Sequence, residues 1–124
     1  MNLDIEQSEK LIDRLQDKIP PHTHVTTVVC PSYVALDAVN KKVEQDKLKV
    51  GAQDICEQDE GLHTGEVSGP MLKGLVDYVI VGHSERRKNA HDTDLKIAKK
   101  LGAVVRNELT PILCVGEKLR DRED

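Results

Sequence analysis

The chain has 124 residues, a net charge of −4, 38% apolar and 32% charged residues, and two aromatic residues, Tyr33 and Tyr78. That length admits one domain and is about half of the ~250 residues of a closed eight-stranded α/β barrel, so a complete barrel in one chain is excluded. Acids and bases are interspersed without a basic stripe, no apolar stretch approaches a membrane span, and the charged N-terminal segment lacks a signal-peptide core, so neither nucleic acid nor a membrane is an expected partner. Cys30, Cys56 and Cys114 are odd in number and widely spaced, without CxxC or paired-histidine patterns. They favour neither a disulfide framework nor a zinc site, and a reducing cytoplasm is the simplest setting.

Asp4 and Gln7 make a capping-box start, and Ile5, Leu11, Ile12, Leu15 and Ile19 recur at helical spacing until Pro20 and Pro21, which predicts a helix over ~4–18. The β-branched run Val25–Cys30 predicts a strand ended by Pro31, and Ser32 then caps a second helix through about Glu44. Leu48–Gln53 is a shorter strand. The polar segment from Asp54 to Ser68 is too long for an ordinary connection, and such loops are more often functional than incidental. A brief helix over Pro70–Val76, a strand over Tyr78–Val81, a helix from Asp92 or Thr93 to about Glu108, and a strand over Pro111–Val115 complete the pattern.

These are four helix-then-strand units, which imply a parallel sheet with right-handed crossovers and near-continuous apolar strands buried on both faces. Each strand ends in small or polar residues: Cys30-Pro31-Ser32, Gln53-Asp54, His83-Ser84-Glu85 and Gly116-Glu117. All the informative side chains therefore fall along one rim, where such folds keep their sites. In the third unit the apolar strand stops at Gly82 and is followed by the polar run His83-Ser84-Glu85-Arg86-Arg87.

Four ordered blocks, Val50-Gly51-Ala52-Gln53, Thr64-Gly65-Glu66-Val67-Ser68, Gly82 through Arg87, and Cys114-Val115-Gly116-Glu117, resemble triosephosphate isomerase over nearly the whole chain. The resemblance implies an α/β fold, a partial or half TIM barrel, as a single domain over 1–124. His83 would be the catalytic electrophile, a neutral imidazole that stabilises the enediolate, as it is in that enzyme family. Glu85 would be the carboxylate that supports the family's catalytic lysine, and Glu66, Arg86 and Asp92 a structural ion pair. The loop around His63, Thr64, Gly65 and Glu66 is similar to the interdigitating loop with which one subunit completes its neighbour's site, which implies a partner chain. His63 and Asp54 depart from the family's pattern, the latter standing where asparagine is usual, and either change is expected to weaken or retune that interface. Met1-Asn2 look like the residues after the family's catalytic lysine, so that lysine, the glutamate base and the phosphate-binding turns are expected to be missing from the chain.

Read without the resemblance, other groups look ordinary. His22, His24, His63 and His91 have no metal-site spacing and are expected at the surface. Cys114 is expected to pack as a small apolar group. Lys96, Lys99 and Lys100 are expected on the solvated face of an amphipathic helix. Glu117, Asp121, Glu123 and Asp124 look like a solvated helix start.

Four parallel strands leave two bare edges, near Val25–Cys30 and Ile112–Val115, and an apolar inner face open to water. The expectation is a homo-oligomer, in which two copies close an eight-stranded barrel or an open sheet buries its face in some other dimer. Function stays open between two classes. One is an isomerase component of glycolysis and gluconeogenesis, binding triose phosphate and interconverting dihydroxyacetone phosphate and glyceraldehyde 3-phosphate with a base from a second polypeptide or from Glu117. The other is a non-catalytic half-barrel that only folds and self-associates. No cofactor and no metal is expected in either case, because aldose–ketose chemistry uses side chains and backbone dipoles.

Overall fold

A computed structural model describes residues 1–20 and 24–122; His22, Glu123 and Asp124 lie outside the described residues. Helix α1 (Ile5–Gln16) opens with the expected capping box: the Gln7 amide donates to Asp4 Oδ1 at 2.8 Å and the Asp4 amide to Gln7 Oε1 at 3.0 Å. Such a cap contributes ~1 kcal/mol. The buried face runs through Ser8, Ile12 and Gln16, while Ile5 and Leu11 are exposed. Gln16 explains the choice of face, because its amide oxygen accepts from the Glu44 backbone N–H and ties α1 to the chain beyond α2.

Strand β1 is Val28–Val29, shorter than expected, with Val25 exposed before it. A 3-10 turn (Tyr33–Ala35) leads into α2 (Leu36–Lys42), so the second helix is broken at its start, and Ser32 makes no side-chain cap. Strand β2 (Lys49–Ala52), the short α3 (Gly69–Leu72) and β3 (Tyr78–Val81) follow, with no helix or strand from 53 to 68. Helix α3 stops before the expected Val76. Helix α4 (Ser84–Asn89) was not expected. Helix α5 (Asp94–Arg106), capped by Thr93 on the Lys96 amide, β4 (Thr110–Leu113) and α6 (Leu119–Arg122) complete the described chain.

The four strands form one parallel sheet in the order β1-β2-β3-β4, with Val29 opposite Val50, Gly51 opposite Tyr78 and Ile80 opposite Ile112. The fold is α/β, with four parallel strands and helices in the arrangement of half a TIM barrel. The core lies between the sheet and its helices and includes Val39, Leu48, Val50, Val79, Val81 and Val104. Burial of a side chain such as Leu48 stabilises by ~1.5–3 kcal/mol.

Burial on both faces of the sheet is not complete among the described residues. In β3, Val79 and Val81 are buried but Tyr78 and Ile80 are half-buried, and in β4 Ile112 and Leu113 remain 36% and 45% exposed. Nothing pairs with the outer edge of β4 among the described residues.

Candidate active-site rim

The turn after β3 is built around Gly82, whose φ of +78° a side chain rarely adopts. A Cβ there would also lie 3.0 Å from Arg87 Nη2 and 3.2 Å from Ile97 Cδ1. The reversal makes His83 the N-cap of α4: its Nδ1 accepts the Glu85 backbone N–H at 3.2 Å. A neutral ring with Nδ1 engaged as acceptor carries its proton on Nε2, the nitrogen free to donate to a ligand. His83 is 45% exposed at the rim, and the Glu85 carboxylate, mostly in solvent, lies 3.9 Å from Nδ1.

Arg87 lies in the polar run that follows Gly82. Its Nε donates to Gly82 O at 2.7 Å, Nη2 to Cys114 O at 3.2 Å, and Nη1 pairs with Asp94 at 2.6 Å. One guanidinium thus ties the ends of β3 and β4 to the start of α5. The Cys114 amide adds a bond to Val81 O at 2.9 Å.

Behind His83 lies a buried ionic cluster that corrects the sequence reading of Lys100. Lys100 is 0% exposed and spends all three ammonium hydrogens: 2.8 Å to each oxygen of Asp54 and 2.8 Å to Asp92 Oδ2. It faces inward because it shares a helical face with Ile97 and Val104, three and four residues away, and because two carboxylates await it there. Arg86 Nε joins them, 2.8 Å from Asp54 and 3.0 Å from Asp92, and Lys96 lies 3.0 Å from Asp92 Oδ1. Burial alone would push the Asp92 carboxyl up, but hydrogen bonds from Lys100, Lys96 and Arg86 outweigh it and bring it down to about 2. Burial likewise opposes the charge on Arg86, and Asp54 and Asp92 overcome it and raise its pKa. Asp54, singled out only as a departure from asparagine, is the carboxylate that balances the buried ammonium.

Of the expected ion-pair residues, Arg86 and Asp92 are brought together. Glu66 is exposed and acts on Arg86 through space, without a hydrogen bond or ion pair between their side chains. His63, Thr64 and Gly65 are exposed on the long loop, whose base is closed by the Cys56 amide on Val67 O at 2.8 Å. Glu117 is exposed and pairs with Arg122 at 2.9 Å. Cys30, Cys56 and Cys114 are free thiols, and Cys56 is buried. Among the described residues no group of histidine, cysteine and carboxylate side chains could hold a metal ion, and no helix is long and apolar enough to cross a membrane.

Four parallel strands alternating with helices, with polar residues at the strands' C-terminal ends, place the chain in the class of barrel-type α/β proteins. The family model described as triosephosphate isomerase matches residues 1–124. Triosephosphate isomerase of Lactobacillus helveticus (strain DPC 4571) is 42% identical over 124 residues, covering 99% of this chain and 49% of that protein. The Clostridium perfringens (strain 13 / Type A) enzyme is 43% identical over 125 residues, covering 100% and 50%, and the Moorella thermoacetica enzyme 53% identical over 97 residues, covering 77% and 39%. The chain belongs to the triosephosphate isomerase family. It spans about half the length of the Lactobacillus and Clostridium relatives.

Proposed function

We propose that this chain supplies the electrophilic half of a cytoplasmic, glycolytic triosephosphate isomerase, interconverting dihydroxyacetone phosphate and glyceraldehyde 3-phosphate. The observation that carries the reading is the Glu85 N–H bond to His83 Nδ1, which leaves Nε2–H at the rim to donate to a substrate carbonyl oxygen. As a base removes a proton from the neighbouring carbon, the C–H electron pair forms a C=C bond and the carbonyl π pair moves onto the oxygen, which becomes the enediolate oxygen. A preorganised donor at that oxygen stabilises the charge as it develops. In this scheme the lysine, the carboxylate base and the phosphate-binding turns of the family's chemistry act from outside residues 1–124. Glu117, the alternative base, is already engaged by Arg122.

The test is isomerisation of triose phosphate by the chain mixed with a polypeptide that carries the remaining strands of a family member, over a range of concentrations, with His83→Gln in parallel to expose any host enzyme. Activity that rises with association and falls ~10²-fold or more in His83→Gln supports the reading. Equal rates for the two proteins overturn it for this chain.

The exposed apolar residues Ile112, Leu113 and Val115 on and after β4 favour a second reading alongside the first: a homodimer in which each chain's β4 edge meets the other's β1, with or without catalysis. A monomeric mass in sedimentation at micromolar concentration would exclude it.

A further inference from the structure

The long loop is anchored to α5 twice. Its root is held by Asp54 on Lys100. Its shoulder is held by Asp59, which accepts Arg106 Nε at 2.8 Å on Oδ2 and Arg106 Nη2 at 3.0 Å on Oδ1, while Asn107 Nδ2 donates to Oδ1 at 2.9 Å. Arg106 Nη2 also donates to Glu57 O at 2.7 Å, so one guanidinium grips both the side chain of residue 59 and the backbone of residue 57. Asn107 is itself pinned. Its second amide hydrogen bonds Ala103 O at 2.8 Å, and α3 presses on it so closely that a Cβ on Gly69 would fall 2.2 Å from Nδ2. Between this shoulder and the Cys56–Val67 closure, residues 61–66 project with Leu62, His63, Thr64, Gly65 and Glu66 all exposed.

From this geometry we infer that Asp59 is a positioning residue, clamped by Arg106 and Asn107 so that the 61–66 tip holds, in the free chain, the shape in which it docks on a second copy of this chain. The inference rests on the reading of that loop as an inter-subunit element. A tip that must be ordered on docking costs conformational entropy at that step, and one ordered beforehand does not, so residues that never touch the partner govern the affinity. Arg106 and Asn107 sit at the carbonyl end of α5, where a guanidinium also meets the helix dipole favourably.

The experiment compares the wild-type chain with Asp59→Ala, Asp59→Asn and Arg106→Leu by sedimentation over a concentration series, by amide hydrogen exchange and by urea denaturation. In Asp59→Ala and Arg106→Leu the dimer Kd should rise about tenfold, exchange at the His63 and Glu66 amides should quicken, and the urea midpoint should hold. Asp59→Asn keeps the acceptor for Asn107 and should fall between. A wild-type dimer whose Kd and loop exchange ignore Asp59→Ala and Arg106→Leu would overturn the clamp alone. A wild-type chain that stays monomeric would overturn the docking reading and this inference with it.

Discussion

The centre of the sheet and its edges are built to different standards. At the centre, β2 and β3 bury Val50, Val79 and Val81 against the helices, and the ionic cluster behind them has every ammonium hydrogen of Lys100 in use. At the edges, β1 is a two-residue strand and β4 shows Ile112 and Leu113 to solvent, with Val115 81% exposed just beyond. On the side of Val79 and Val81 the centre is closed by the described residues. The edges have apolar residues that the described residues leave uncovered.

The sharpest way to break the centre is Lys100→Met. It leaves two buried carboxylates short of their shared cation, and removing one member of a buried ion cluster costs ~3–5 kcal/mol. Urea denaturation should show that loss, and Asp54→Asn added to Lys100→Met should recover part of it by removing one orphaned charge. Full recovery of stability in Lys100→Met alone would mean that water replaces the ammonium and that the centre is not the closed unit described. A milder pair sharpens the contrast between regions. Leu48→Ala, in the fully buried core, should cost ~2–5 kcal/mol, whereas Leu113→Ala on β4 should shift monomer stability by no more than ~0.5 kcal/mol and instead weaken any dimer. Similar losses from both would place Leu113 in a core that one chain already completes.

The parts legible in the sequence were those whose cause is local. The Asp4 and Gln7 cap, the Tyr78–Val81 strand and the turn that delivers His83 each follow from a few adjacent residues, and the structure has them where the pattern puts them. Helix α4 escaped because Ser84–Asn89 contains no apolar residue, so periodicity is silent. It is held by its histidine cap, by Glu85 in its first turn and basic residues in its last, and by Arg86 on Asp92. Lys100 was misread because a lysine on an amphipathic helix is ordinarily solvated, although its place between Ile97 and Val104 was a signal that it faces inward. Its partner Asp54 is 46 residues away, and the Asp59 clamp spans a similar gap to Arg106, 47 residues on. No local pattern announces contacts of that range. The shortening of β1 and the exposure of β4 have the same origin: strand propensity is local, whereas ladder length and burial depend on what lies alongside.

The pH response gives the smallest test, and it acts on the centre rather than the edges. Asp92 has a folded-state pKa of about 2 against an ordinary value of 3.8, because three cations hold its charged form despite burial. A depressed carboxylate contributes stability that is fully present above its unfolded value and is lost as the pH falls through the folded one. The window therefore runs from about pH 4 down to about pH 2, and the contribution at stake is ~2 kcal/mol at ~1.4 kcal/mol per unit. Asp59 is depressed as well, chiefly by its hydrogen bonds from Arg106 and Asn107, so the loop clamp should loosen in the same direction. Amide protection, taken relative to the intrinsic exchange rate at each pH, should fall from pH 5 to pH 2 around α4, the start of α5 and the long loop before it changes along β4. In Asp92→Asn the stability is lower at neutral pH but falls less steeply through the window, because the group that titrates is gone. A wild-type acid profile no steeper than that of Asp92→Asn would mean that Asp92 carries its charge no more readily folded than unfolded, and that desolvation, not the three cations, governs the buried cluster.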